Sequence, residues 1–196
     1  MIKTNKPLIT GISIIMTLLV SCKTTDFGSK AFDINGMIYD FSNRPVAHCE
    51  ISLGKWYKGI TDINGRFTFQ KVSPGTYTVS GHKNGYEPYS EEIILKDRGQ
   101  IIYIRIPSQN QLLNMVDEAI AANNFILAEE IAVRAYHIDK TNIEMHYYFA
   151  VIKFRQHQYK RAISYLETAK YLGSRDFYIE KFLTTLKELL NAEETK

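Results

Sequence analysis

The stretches FILAEEIAVRA, residues 125–135, and YKRAISYLETA, residues 159–169, decide how the second half of the chain folds. The sequence repeats itself here with a period of 34 residues, so that Ala128 aligns with Ala162 and Ala135 with Ala169. Alanines seven residues apart lie on one face of a helix, where small side chains let helices approach closely. A period of this length is typical of helix–turn–helix units that bury their apolar faces only against neighbouring units.

The repeat resembles the tetratricopeptide repeat, in which an aromatic residue opens the second helix and two alanines follow at this spacing. Phe125 and Tyr159 are the aromatic residues. The resemblance implies two repeats, 109–142 and 143–176, and a capping helix over 177–191, within a helical domain that spans 109–192. Lys140 and Ser174 depart from the family, because they replace the usual closing proline.

The resemblance also implies a concave groove, lined by the first helix of each pair, that binds an extended peptide or a helix of a partner protein. The side chains expected in this groove are Leu113, Asp117, Ile120, Tyr147, Val151, Phe154 and Arg155. The alternative is that Tyr147 and Phe154 pack against the preceding domain. Two repeats and a cap are fewer than the roughly three repeats that a stable array needs. We therefore expect the preceding domain or a second copy of the chain to cover the open repeat face.

Residues 31–107 have a different period, because apolar residues occupy every second position, as at Cys49, Ile51 and Leu53. Turn-forming stretches at 43–45, 62–65, 73–75 and 83–85 separate the alternating segments. Six or seven short strands at this spacing predict a small antiparallel Greek-key β-sandwich. The predicted fold class is therefore α+β, with a β-sandwich domain followed by an all-α repeat domain.

The turn residues carry a second resemblance. TDINGRF at 61–67, PGTY at 74–77 and GY at 85–86 fall in the order seen in carboxypeptidase regulatory-like domains. These are prealbumin-type sandwiches that accompany enzymes, transporters and surface proteins without being catalytic. The PEGA-type domain is a related alternative, but it lacks the hairpin at 61–67.

The predicted sandwich contains three sets of candidate site residues. Trp56, Tyr86 and Tyr89 lie at strand or loop ends, where they could stack on a sugar or a peptide. The pair Asp62 and Asn64 indicates a hairpin turn rather than a calcium loop, because a third acidic ligand and the distal glutamate are missing. Cys49 alternates with apolar residues, which predicts a buried, unreactive thiol.

The N-terminus resembles the leader of a bacterial lipoprotein. Lys3 and Lys6 precede an apolar run over 8–20, which is too short to span a membrane but typical of a secretory signal. The run ends in LVSC at 19–22, which resembles a lipobox. The resemblance implies a signal peptide over 1–21, diacylglycerol and acyl chains on Cys22, and a lipidated tether over 22–30. The alternative is an ordinary signal peptide with a chance cysteine.

Composition and motifs argue against several functions. The 24 basic and 21 acidic residues give a formal net charge of +3 without a single-sign segment, so we expect no nucleic-acid partner. The histidines lack metal-ligand spacing, and no phosphate loop, dinucleotide fingerprint or Gly-x-Ser-x-Gly motif is present. We expect no enzyme activity, no metal and no cofactor other than the lipid on Cys22. Lys153, Arg155, Lys160 and Arg161 are expected to form a solvated basic surface.

Two functional hypotheses follow. The first is a membrane-anchored, non-catalytic adaptor that binds an envelope protein through the repeat groove. The second is a lipoprotein whose sandwich binds envelope glycan, peptidoglycan or a surface ligand, with the repeats purely structural. Self-association through the open repeat face is a further possibility. Each predicts a bacterial cell-envelope protein. The resemblance to bacterial lipoproteins implies the outer membrane, because Lys23 follows Cys22 in place of the aspartate that retains such lipoproteins on the inner membrane of enterobacteria.

Overall fold

The computed structural model describes residues 31–194, in which seven strands precede five helices. The strands are β1 Phe32–Tyr39, β2 Glu50–Leu53, β3 Tyr57–Ile60, β4 Arg66–Val72, β5 Gly75–His82, β6 Tyr89–Leu95 and β7 Ile101–Arg105. The helices are α1 Gln109–Ala121, α2 Phe125–Ile138, α3 Ile143–Arg155, α4 Tyr159–Tyr171 and α5 Phe177–Glu194. This order confirms the α+β class with two domains. The predicted signal peptide, Cys22 and the tether lie outside the described residues.

The strands form two facing sheets, one in the order β4–β1–β7 and the other in the order β3–β2–β5–β6. The alternating apolar residues point between the sheets, where Ile34 and Ile38 of β1 are buried in one core with Ile51 and Leu53 of β2. One pair departs from the expected antiparallel arrangement, because β7 runs parallel to β1. The chain leaves β6 at the end of the sandwich where β1 begins, so β7 starts there and follows the same direction.

Strand directions define two ends of the sandwich. The entry end is where β1 begins, and it consists of Ala31, the turns at 54–56 and 73–74, and the loop at 96–100. The helix end is opposite, and it consists of the segments 40–49, 61–65 and 83–88 and of Pro107, which leads into α1. Ala31, the first described residue, and the helical domain therefore lie at opposite ends of the sandwich.

The segment 61–67 forms the predicted β3–β4 hairpin. The Asp62 carboxylate accepts hydrogen bonds from the backbone N–H groups of Asn64 and Arg66, both at 2.8 Å. Gly65 has a positive φ of 73°, and a Cβ there would lie 2.4 Å from the carbonyl oxygen of Ile38. The turn is confirmed, and glycine is required at its last position because of both φ and space.

The helices pack in chain order, each on the next. Side chains cap three of them: Ser108 forms a capping box with Gln111 at α1, and Asn124 and Asn142 accept backbone hydrogen bonds at α2 and α3. The four repeat alanines are fully buried, as expected for closely packed repeats: Ala128, Ala135, Ala162 and Ala169. Helix α5 begins at the predicted residue and extends three residues beyond the predicted end at 191.

The two domains meet through backbone and side-chain hydrogen bonds. The N–H of Gln109 donates to the carbonyl of Gly85 at 2.9 Å, and the N–H of Glu87 donates to the carbonyl of Pro107 at 3.0 Å. The guanidinium of Arg134 on α2 forms a bidentate ion pair with Glu87, with both N···O distances at 2.7 Å. The helical domain is thereby tied to the 83–88 loop of the sandwich.

Candidate interaction surfaces

The first candidate surface is an open cavity of about 520 Å³ between α3 and α5. Its lining consists of Ile143, Glu144, Tyr147, Ser174, Asp176, Tyr178 and Ile179. Tyr147 belongs to the predicted groove, whereas the residues from 174 onward come from the α4–α5 turn and α5. The α3–α5 cavity, as we call it, therefore combines the predicted groove helix with the capping helix.

The capping helix covers part of the predicted groove. The ring of Phe182 on α5 is edge-on to Tyr147, at 6.2 Å between centroids, and to Phe154, at 5.4 Å. Tyr147 and Phe154 are half-buried and pack in the core shared by α3, α4 and α5. They therefore contact α5, and not the sandwich that the alternative hypothesis named.

The remaining groove residues differ in accessibility. Leu113 is only 3 % exposed and packs in the core shared by α1, α2 and α3, so its prediction as a groove residue is wrong. Its side chain is buried because α1 packs on α3 as well as on α2. Ile120 and Val151 are half-buried, and Asp117 is exposed.

Arg155 lies at the far end of α3 and is held by the first repeat. Its guanidinium donates to the Asn123 side-chain oxygen at 2.6 Å and lies 5.4 Å from the centre of the Phe125 ring. A cation at this distance over an aromatic face is attracted to it. The guanidinium of Arg155 therefore interacts with the α1–α2 turn of the same chain.

Acidic and aromatic side chains surround the start of α3. Tyr148 has a raised pKa, first because burial disfavours its charged form and then because the carboxylates of Asp117 and Glu144 repel the phenolate. The α3–α5 cavity has two carboxylates, Glu144 and Asp176, and no Lys or Arg in its lining. A cationic, partly apolar ligand would complement this surface.

Lys153 does not belong to the solvated basic surface that the sequence predicts. It is 4 % exposed, and its ammonium lies 2.5 Å from the Glu129 carboxylate of α2 and 3.2 Å from the side-chain oxygen of Gln156. The prediction fails because Lys153 faces α2, which local charge density along the chain does not reveal.

The three predicted ligand-facing aromatics are not brought together. Trp56 is 88 % exposed on the β2–β3 turn at the entry end. Tyr86 and Tyr89 lie at the helix end and are half-buried against the sandwich core. The ammonium of Lys83 lies 5.0 Å from the centre of the Tyr86 ring. A single stacking platform made from all three residues is therefore excluded. Tyr89 is level with Ile51 at the start of β2 and two strands away from it, whereas Trp56 lies on the turn beyond the far end of β2.

Tyr89 borders a second candidate surface, on the outer face of the four-stranded sheet. This open cavity measures about 700 Å³, and its lining includes Glu50, Ser52, Lys58, Ile60, Ser80, His82 and Tyr89. The Tyr89 hydroxyl donates to the carboxylate of Glu91. Burial, followed by that hydrogen bond and the Glu91 charge, raises the pKa of Tyr89 to about 12, so the hydroxyl stays protonated.

Cys49 is the buried thiol that the alternation predicts. Its Sγ atom lies 3.5 Å from the carbonyl oxygen of His82, and burial raises the pKa of the thiol. Because the thiolate is the reactive form, this environment makes Cys49 unreactive.

Within residues 31–194, no group of three or more His, Cys, Asp or Glu side chains is placed to hold a metal ion. No helix in the same range is both long and apolar enough to cross a membrane.

Residues 33–105 match the family model of the carboxypeptidase regulatory-like domain. The match runs through the whole sandwich, from β1 to β7, and confirms this resemblance. The helical domain lies outside the matched residues. No curated protein sequence is significantly similar to the chain.

Several solved structures are similar to part of the chain at low identity. One is a type II cohesin–X-dockerin complex from Acetivibrio cellulolyticus, at 21 % identity over 39 % of this chain and 58 % of that one, with a TM-score of 0.35. Another is the major pilin subunit of Bacillus cereus, at 19 % over 40 % and 28 %, with a TM-score of 0.33. Catechol 1,2-dioxygenase from Pseudomonas arvilla C-1 matches at 11 % over 44 % and 54 %, also at 0.33. The chain spans less than two thirds of each, and no functional inference follows from likeness at this level.

Proposed function

We propose that this protein is a lipid-anchored, non-catalytic adaptor of the bacterial cell envelope, and that its helical domain binds a partner protein in the α3–α5 cavity. The observation that carries this function is the make-up of the cavity, in which aromatic and acidic side chains are accessible together. Tyr178 is 73 % exposed beside half-buried Tyr147, and Glu144 and Asp176 lie in the same lining. The LVSC motif at 19–22 supports the anchor, with the outer membrane as the favoured location.

The lining indicates the chemistry of the partner. Aromatic side chains such as Tyr147 and Tyr178 offer large apolar contact areas, and exposed tyrosines are common in binding hot spots. The two carboxylates favour Lys or Arg on the partner and repel acidic segments. The partner segment is therefore a basic, partly apolar peptide or helix of an envelope protein.

The test is crosslinking of the full-length lipoprotein in cells, followed by detergent extraction and mass spectrometry. We expect a stoichiometric partner with the natural protein and its loss in the Tyr178→Ala, Glu144→Gln double variant. Tyr171→Ala is the matched control, because Tyr171 is 90 % exposed on α4 and lies outside the cavity lining. Undiminished capture by the double variant would contradict the assignment of this cavity, and self-crosslinks alone would indicate self-association instead.

The lipid anchor is tested separately. We expect the natural protein to fractionate with membranes and to carry a diacylglycerol label. The Cys22→Ala variant should lack the label, because a thiolate is required to carry the thioether-linked lipid. Label that persists in Cys22→Ala would contradict lipidation at this residue.

The cavity on the outer face of the four-stranded sheet favours one alternative function, the binding of envelope glycan. Its lining combines the hydroxyls of Ser52 and Ser80 with the carboxylate of Glu50, a mixture suited to sugar hydroxyls. We would measure binding of soluble peptidoglycan fragments to the full chain and to Glu50→Gln. Absence of binding, or equal binding by both proteins, would remove this alternative.

A further inference from the structure

We propose that the entry end of the sandwich lies on the bilayer that holds the lipid anchor, with the indole of Trp56 in the headgroup region. This inference rests on the proposed lipidation of Cys22. It adds a second contact with the membrane, made by the folded domain itself, and it sets the orientation of the whole molecule.

Chain length limits how far the fold can lie from the membrane. Nine residues, 22–30, separate the proposed lipid from Ala31, and they span at most about 30 Å when fully extended. Ala31 is part of the entry end, so that end stays within about 30 Å of the bilayer. The helix end is farther from the tether by the length of β1, eight residues or about 26 Å, which an extended tether can also cover. The exposed indole and the charge of the entry end, rather than chain length, therefore select the end that contacts the membrane.

Trp56 is an exposed side chain at the entry end. Its neighbour Tyr57 packs in the sandwich core, with its ring 6.2 Å from those of Phe69 and Tyr77. The Tyr57 hydroxyl also donates to the carbonyl of Lys71 at 3.2 Å. The turn therefore holds the Trp56 indole in water at 88 % exposure. Tryptophan favours the membrane–water interface, where its apolar ring is covered and its N–H stays hydrated.

Charge at the entry end suits an anionic headgroup layer. Four exposed cations lie at this end, Lys55, Lys71, Lys96 and Arg98, together with three exposed carboxylates: Asp33, Asp97 and Glu92, the last level with the 54–56 turn. The carboxylates of Asp33 and Asp97 already accept backbone hydrogen bonds, from the N–H of Lys71 at 3.0 Å and the N–H of Gly99 at 2.8 Å.

An open cavity of about 860 Å³ lies beside Ala31, and its lining contains Lys96 and Arg98 as well as Asp33 and Asp97. Basic side chains within a Debye length of an anionic bilayer are attracted to it. Exposed tryptophan, excess positive charge and the tether position thus coincide at one end of the fold.

The consequence is an upright orientation. The sandwich stands on the membrane by its entry end, and the helical domain, joined at the opposite end, is held away from the surface. The α3–α5 cavity then faces partners that are not embedded in the same membrane leaflet.

Trp56 is the only tryptophan of the chain, so its fluorescence reports on this end alone. The mature lipoprotein, purified in detergent, is reconstituted into vesicles of zwitterionic and anionic phospholipid, with either plain or brominated acyl chains. We expect the emission of Trp56 to shift to shorter wavelength on reconstitution and to be quenched by the brominated lipid. Raising the salt concentration to about 1 M should weaken the quenching, because the Debye length falls to about 3 Å.

The matched control moves the single tryptophan to the other end of the sandwich. In Trp56→Phe, Ile63→Trp, the indole replaces a side chain that is 73 % exposed on the β3–β4 turn of the helix end. We expect no quenching in this variant. A natural protein that floats with the vesicles but is not quenched would overturn the orientation alone. A protein that does not float with them would overturn the proposed anchor as well.

Discussion

At the scale of single residues, close packing decides which positions of the sandwich tolerate change. Gly36 on β1 faces the Phe67 ring, and a Cβ at this position would lie 2.1 Å from Cζ of Phe67. The ring in turn packs on Phe69, at 5.3 Å between centroids. The absence of a side chain at residue 36 thus makes room for an aromatic in the core, a requirement that strand periodicity does not show.

We expect Gly36→Ala to lower the free energy of unfolding by roughly 1–3 kcal/mol, because Phe67 must move out of a close-packed core. Differential scanning calorimetry of the full chain measures the effect on the sandwich transition. Gly75→Ala is the control, since a Cβ at Gly75 makes only ordinary contact with the Tyr77 ring, at 3.5 Å. Equal transition temperatures for the two variants would contradict this account.

At the scale of elements, a buried ion pair joins α2 to α3. The side chain of Lys153 is 5 % exposed, whereas that of Glu129 is 37 % exposed. Water can solvate the Glu129 carboxylate, but the Lys153 ammonium depends on the carboxylate to compensate its charge. The Gln156 amide donates to the other oxygen of Glu129 at 3.3 Å. The pair specifies how the two repeats meet, in addition to the fully buried alanines.

Substitution of Glu129 and substitution of Lys153 should change the free energy of unfolding by different amounts. Glu129→Ala leaves a buried, unpaired ammonium and should lower the free energy of unfolding by roughly 1–3 kcal/mol, a value reduced to allow for the partial exposure of Glu129. Lys153→Met removes the buried charge at similar volume and should be closer to neutral. Urea unfolding at neutral pH measures both. A larger loss for Lys153→Met than for Glu129→Ala would show that the desolvation of Lys153 is not the dominant cost.

The same pair predicts a pH dependence. The hydrogen bond from Lys153 lowers the pKa of Glu129 relative to its ordinary value, so the folded state favours the carboxylate. The resulting stability is present above the ordinary glutamate pKa of about 4.3 and is lost as the pH falls through the lowered pKa. We expect Lys153→Met to lose less stability over this acidic range than the natural protein does, as measured by urea unfolding at stepwise lower pH.

At the scale of the whole molecule, the position of the helical domain depends on a small set of polar contacts at the 83–88 loop. Besides the backbone hydrogen bonds there, the Glu87–Arg134 pair is the bidentate link, and its side chains are 25 % and 36 % exposed. The hydrogen bonds that Arg134 donates to the Glu87 carboxylate raise the pKa of Arg134. Gln111 adds a hydrogen bond to the Ser42 hydroxyl at 2.9 Å. These contacts hold the α3–α5 cavity at a defined direction from the sandwich.

We expect Glu87→Arg to broaden the distance distribution of the molecule in small-angle X-ray scattering, because two cations then repel each other across the junction. The charge-swapped protein, Glu87→Arg with Arg134→Glu, should restore it, while the free energy of unfolding changes by only about 1 kcal/mol or less. Glu180→Arg is the control, since the Lys170–Glu180 pair at 2.7 Å lies within the helical domain. Unchanged scattering in Glu87→Arg would indicate that the backbone contacts alone fix the junction.

The amino-acid sequence by itself determined the local order of this protein. The period of two predicted the sandwich strands, TDINGRF predicted the β3–β4 hairpin, and the 34-residue repeat predicted the helical pairs with their buried alanines. It also predicted the buried thiol of Cys49. These features depend on neighbours within a few residues, or on which face of an element is apolar. The order of residues along the chain reveals both properties.

Only the tertiary structure decided which elements meet. It paired β7 parallel to β1, buried Leu113 and Lys153, and placed Phe182 against Tyr147 and Phe154. It also separated Trp56 from Tyr89 by the length of β2 and the width of two strands. The physical reason is that periodicity specifies an apolar face but not its partner, which depends on packing between segments that are distant in the chain.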